Sequence, residues 1–217
     1  MEKAEASSAV NAWLDKIARR PRINLLDVRD DMVTPILSQK APLGMKRSPE
    51  LSKELKEIRS SVQKEFEKSP RTAATEGICY LVYSEGRSNV IQPLYVGMAQ
   101  TVGKSGSLSV LFRSGGWLRF ADGFGSGGHI GNLNDCFAGK SKGYENWRKA
   151  LFCDGPKPKL RRSVFVDVEV WTSKSKSIWS EIGHVPLFLE EAIRIWLLQL
   201  AGYGDQLLNR EGNRIHK

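Results

Sequence analysis

Two tyrosines in neighbouring apolar runs are the first side chains in this sequence with chemistry to offer. Tyr80 lies in Gly77-Ile78-Cys79-Tyr80-Leu81-Val82-Tyr83 and Tyr95 in Val90-Ile91-Gln92-Pro93-Leu94-Tyr95-Val96-Gly97, with a polar turn through Gly86 and Asn89 between them. A phenol donates or accepts a hydrogen bond and, once deprotonated, serves as a base. Downstream, Arg113 and Arg119 carry guanidinium forks that bind two phosphate oxygens at once and keep their charge. His129 closes a glycine-rich segment; its imidazole can take a proton from water or, when charged, contact a phosphate. Near the end of the chain Glu190 sits in the apolar stretch Pro186–Leu198, where Ile193 and Leu197 at i+3 and i+7 carry it inward. Glu191, with Arg194 at i+3, reads as solvent-facing, and Asn209 follows the breakers Gly202 and Gly204.

Two other patterns compete for attention. Gly97 to Gly103-Lys104-Ser105 suggests a phosphate loop, but the spacing is one residue too long and Met98 stands where a tight turn needs glycine. Asp167 and Glu169 share one side of the run Val164–Trp171 and offer two carboxylates to a metal. With no histidine or third carboxylate near in sequence, an exposed sheet face is the better expectation.

The elements that must position these groups follow from periodicity. The runs around Tyr80 and Tyr95 read as a hairpin-like strand pair. Ser163–Trp171 alternates, with Val164, Val166, Val168 and Val170 on one side and Phe165, Asp167, Glu169 and Trp171 on the other. Val10, Trp13, Leu14 and Ile17 mark an amphipathic helix after Ser7-Ser8, ended by Arg20-Pro21, and short helices among loops are expected over 23–44. Ser48-Pro49-Glu50 opens a second helix with the stripe Leu51, Leu55, Ile58, Val62, Phe66. Residues 144–152 form a third, its aromatics belonging to the core, and 186–198 the last.

Composition narrows the partners. The chain has 217 residues, 41% of them hydrophobic, enough for a buried core. Lys and Arg number 33 against 24 acidic residues, a net charge of +9, which favours polyanions. Between Lys140 and Lys176 there are ten basic residues and four acidic ones. No run reaches the roughly 18 apolar residues of a membrane span, and the charged start does not read as a secretory signal, so a cytoplasmic protein without membrane contact is expected. Cys79, Cys136 and Cys153 have neither disulfide nor zinc spacing.

Gly77 with Tyr80, then Tyr95-Val96-Gly97, then an apolar helix with an early glutamate and a terminal Leu208-Asn209, resemble the GIY-YIG nuclease superfamily over about residues 76 to 210. The position two residues after Gly77 holds Cys79, with Tyr80 beside it, and the usual arginine position falls on Leu111, two residues before Arg113. The resemblance implies an α/β (α+β) fold: a small, mostly antiparallel three-stranded central sheet flanked by helices in residues 73–217, with an insertion around 114–162. Residues 1–72 form a helical N-terminal extension for DNA contact or dimerisation, which allows a homodimer. It further implies a metal-dependent DNA endonuclease, restriction-like or mobile-element-associated, using Mg²⁺ with Mn²⁺ as substitute. Tyr80, Tyr95, Arg113, His129, Glu190 and Asn209 are then catalytic, with Glu190 the metal ligand. Lys104, Arg119, Lys140, Lys142, Arg148, Lys149, Arg161 and Arg162 are expected to meet DNA. The alternatives are a DNA-binding protein on a degenerate scaffold and a P-loop nucleotide hydrolase dependent on Lys104.

Overall fold

β-branched and aromatic residues in period-two alternation build the centre of the molecule. The computed structural model describes residues 2–30, 32–33, 35–36, 44–45, 47–68, 75–86, 90–101, 145–155 and 159–209. Its elements, in chain order, are α1 (Lys3–Ala18), β1 (Ile23–Asn24), β2 (Val28–Arg29), β3 (Met32–Val33), β4 (Pro35–Ile36), β5 (Gly44–Met45), α2 (Pro49–Lys68), β6 (Thr75–Glu85), β7 (Ile91–Gln100), α3 (Glu145–Leu151), β8 (Val164–Thr172) and α4 (Leu187–Leu198).

Among the described residues the main sheet has four strands in the order β1-β8-β6-β7, and each neighbouring pair is antiparallel. The expected three strands are β8, β6 and β7; the fourth is the two-residue β1, which pairs Ile23 with Val166 and Asn24 with Phe165. Two residues carry no period, so β1 shows no strand signal. The rest of the segment expected to hold short helices forms the two small ribbons β2-β3 and β4-β5 among its described residues.

β6 and β7 pair from Gly77 opposite Gln100 to Glu85 opposite Ile91. The register slips once, between Val82 opposite Tyr95 and Tyr83 opposite Pro93, leaving Leu94 as an extra residue. A bulge on an outer strand is where proline is tolerated, because no ladder donor is lost there.

Alternation then divides the core in two. Ile78, Tyr80 and Val82 of β6, with Val164 and Val166 of β8, face Leu51, Leu55, Ile58 and Val62 of α2 and Trp147 and Leu151 of α3. Cys79, Leu81 and Tyr83, with Phe165 and Trp171, face Val10, Trp13, Leu14 and Ile17 of α1 and Leu187, Ile193 and Leu197 of α4. Each fully buried aliphatic side chain stabilises the fold by about 1.5–3 kcal/mol. The helices of the N-terminal stretch thus cover opposite faces of the sheet.

Helix starts follow local chemistry. The Ser48 hydroxyl accepts the Leu51 N–H at 3.0 Å, capping α2 as its sequence announces. α1 begins at Lys3, ahead of the expected Ser7-Ser8, and the Glu5 carboxylate accepts the Glu2 N–H at 2.9 Å. At α4 the cap comes from far away: Glu76 Oε2 accepts the Leu187 N–H at 2.9 Å.

Candidate active site

Tyr80 lies opposite Gly97 across the β6-β7 ladder. A Cβ added at Gly97 would overlap the Tyr80 phenol and come within 2.7 Å of Tyr95 Cε1, so glycine here is the condition for the ring to lie flat across the strand. The partner glycine works on the other face: Gly77 has φ +152°, and a Cβ there would run into the Ala99 carbonyl and sit 2.7 Å from Leu187 Cδ2. One glycine admits the tyrosine and the other admits α4.

The Tyr80 and Tyr95 rings are 6.0 Å apart at 38°. Burial pushes the Tyr80 hydroxyl well above the ordinary tyrosine pKa, helped by Tyr95 and by the negative charge of Glu191. Tyr80 therefore keeps its proton and acts as a donor. Tyr95 is half-buried and also packs against Trp147 at 5.2 Å.

Cys79, at the position where the resemblance expects a tyrosine, points the other way. It is wholly buried among the side chains beneath α1 and α4, and burial raises its thiol to about 12, against a partly opposing pull from Arg194.

Asn209 acts on the strand that carries Tyr95. Its Oδ1 accepts the Val96 N–H at 2.9 Å and its Nδ2 donates to the Val96 carbonyl at 2.6 Å. The preceding Leu208 N–H donates to the Leu94 carbonyl at 2.7 Å. The long span from Glu190 to Asn209 is taken up by a π turn at Gln199–Tyr203, with Gly202 at φ +97°, and a 3₁₀ turn at Gly204–Gln206.

Glu190 is carried inward as its helical neighbours predict, but into the core. Its exposure is 0%, its Oε1 accepts both Arg194 Nε at 2.8 Å and the Ile178 N–H at 3.1 Å, and its Oε2 has no hydrogen-bond partner among the described residues. Arg194 is 1% exposed, donates to Glu169 Oε2 at 2.8 Å, and lies 4.9 Å from the Trp13 ring centroid and 5.4 Å from that of Trp171. Burial opposes the Arg194 charge, yet Cys79, Glu169 and Glu190 together hold its pKa above the ordinary arginine value.

A divalent ion does not fit Glu190. Mg²⁺ keeps several waters and needs open coordination positions, whereas this carboxylate is buried beside a cation that already neutralises it. Glu191 is half-buried, and its charge raises the pKa of both Tyr80 and Cys79. Among the described residues no cluster of three or more His, Cys, Asp or Glu side chains forms a metal cage.

The face expected to be exposed at Asp167 and Glu169 is instead covered. Arg20 binds Asp167 through two bonds of 3.0 and 2.8 Å, and Glu169 receives Arg194. Burial nevertheless leaves the Asp167 carboxyl raised.

The basic residues expected to meet DNA are in part tied to neighbours. Arg148 binds Glu145 at 2.8 and 3.0 Å, Lys149 sits 3.8 Å from Glu145, Arg161 pairs with Asp154 at 3.3 Å, and Arg162 donates to Gln92. Lys104, Arg113, Arg119, His129, Lys140 and Lys142 lie outside the described residues.

One cluster had no sequence signal. His184 places Nε2 3.0 Å from Glu76 Oε1 and Nδ1 2.9 Å from the Ser175 carbonyl, and stacks on Trp171. Both ring nitrogens are engaged, so it ties the start of α4 to the sheet rather than offering a free base.

Comparison with known proteins leaves this geometry to speak for itself. No family model, curated protein or solved structure matches the chain.

Proposed function

We propose that the protein is a metal-dependent DNA endonuclease whose site lies on the Tyr80 face of the sheet, as the GIY-YIG resemblance implies. The observation that carries the reading is the Tyr80 and Tyr95 pair, its rings 6.0 Å apart over Gly97, on a strand that Asn209 clamps at Val96. Such a pair holds two hydroxyls at fixed positions, which is what orientation of a phosphate requires. Tyr80, 2% exposed and holding its proton, backs the pair from the core, and Tyr95, half-buried, is the hydroxyl that meets the phosphate and the attacking water. Base duty then passes from Tyr80 to Tyr95 or His129. Glu191 takes the carboxylate role expected of Glu190, and Mg²⁺ or Mn²⁺ held there would neutralise charge on the leaving oxygen.

One observation favours the second reading, a DNA-binding protein that does not cut: the carboxylate that the resemblance selects, Glu190, is consumed by Arg194.

Supercoiled plasmid incubated with protein and Mg²⁺ or Mn²⁺ separates the two. Nicked or linear product that disappears with EDTA and with Glu191→Gln supports the nuclease. Retarded but intact DNA across substrates selects the binder. Cleavage that survives Glu191→Gln and stops only in a folded Glu190→Gln variant would return the metal to Glu190.

A further inference from the structure

The outward face of α2 carries Lys53, Lys56, Lys64 and Lys68 around Ser60 and Ser61, with the exposed acids Glu57 and Glu67 among them, opposite the buried stripe Leu51, Leu55, Ile58 and Val62. All four lysines and both serines are exposed. They line an open groove of about 790 Å³ together with Glu57 and Glu65. Of the two acids, Glu65 is committed elsewhere: its carboxylate accepts the Thr75 N–H at 3.2 Å and the Thr75 hydroxyl at 2.6 Å, fastening α2 to the start of β6. Glu57 is the acid that remains exposed in the groove.

Geometry selects the anion. An α-helix rises about 1.5 Å per residue, so Lys53 to Lys68 spans roughly 22 Å in a fixed line. A duplex carries one negative charge per about 1.7 Å of axis and stays straight over far more than that length, so its phosphates form an equally fixed array. The buried side of α2 belongs to the same core as Tyr80, so the lysine face stands on the tyrosine side of the sheet.

We propose that this face of α2 binds the phosphate backbone of duplex DNA beside the tyrosine site. The proposal rests on the reading of DNA as substrate and names a surface distinct from the residues between Lys140 and Lys176.

The test measures affinity for a labelled duplex of arbitrary sequence across a salt series. Lysine-to-phosphate contacts release counterions, about 0.9 in the logarithmic salt slope for each phosphate neutralised. The combined variant Lys53→Gln, Lys56→Gln, Lys64→Gln, Lys68→Gln is expected to lower the slope by about 3–4 and weaken binding. Glu57→Gln is expected to tighten it. Every substituted position is exposed, and circular dichroism checks that each variant is folded. An unchanged slope in the folded lysine variant overturns the proposal, as does a native protein that does not bind the duplex. Plasmid cleavage by the native protein, assayed in parallel, keeps the two failures apart. Cleavage with an unaltered slope discards the α2 surface alone, whereas a lysine-dependent slope without cleavage retains the surface and discards the nuclease.

Discussion

The side-chain amide of Asn209 satisfies both backbone groups of Val96, one bond in each direction, from 113 residues further along the chain. It does for β7 what another strand would do, at the residue between Tyr95 and Gly97. The C-terminal segment thereby fixes the height of Tyr95 above the sheet, and stability and site geometry meet in one side chain.

Asn209→Ala should leave the Val96 N–H and carbonyl without partners, at about 1–3 kcal/mol for each buried group. Urea unfolding will show a lower midpoint, and cleavage should fall with it. Asn209→Asp, which keeps the acceptor and loses the donor, should fall between the two proteins. A native midpoint in Asn209→Ala would mean that the clamp contributes nothing.

Gly97→Ala places a methyl group against the Tyr80 phenol and should destabilise by about 1–3 kcal/mol, the range for overpacked cores. Tyr80→Ala removes the obstacle. Combining the two should therefore cost less than the sum of the singles, and a double-mutant cycle that closes additively would refute the close approach.

Glu190 and Arg194 should behave as a structural pair. Removing one partner leaves a buried charge uncompensated, about 3–5 kcal/mol, so Glu190→Ala and Arg194→Ala should each lower the thermal midpoint strongly. Glu191→Gln should leave it nearly native while abolishing cleavage. Equal midpoints for Glu190→Ala and the native protein would contradict the burial of this pair.

Cys79, raised by burial from its usual 9.0 to about 12, should resist alkylation in the folded protein and react only after unfolding. The same shift has a pH signature. Below the ordinary thiol pKa both states hold the proton and the stabilising contribution is fully present. As pH rises from about 9 towards 12 the unfolded chain releases its proton first, so folding stability declines, by at most about 1.4 kcal/mol per pH unit from this thiol. Tyr83, likewise raised to about 12 chiefly by burial, adds to the decline. Cys79→Ala should flatten the alkaline limb of a urea-midpoint profile.

Local pattern was enough for much of this molecule. Alternation in Val164–Thr172 assigned Val166 and Asp167 to opposite faces, the run around Tyr80 and that around Tyr95 announced a paired ribbon, and Ser48 marked the first turn of α2. These features depend on residues a few positions apart, and steric and hydrogen-bonding preferences act over that range. The helical wheel even carried Glu190 inward correctly. What it could not say is what lay inside. That Glu190 meets Arg194 between two tryptophans while Glu191 lies where its charge reaches Tyr80 depends on how α4 crosses the sheet. That crossing is decided by long-range packing against α1 and β7. The same holds for β1 joining β8, for Glu76 capping α4 and holding His184, and for Asn209 reaching Val96. Each is a contact between distant segments, whose energy exists only once the chain has closed on itself. Sequence alone determined which residues share a face; the tertiary structure decided which faces meet, because burial and pairing are properties of the assembled core.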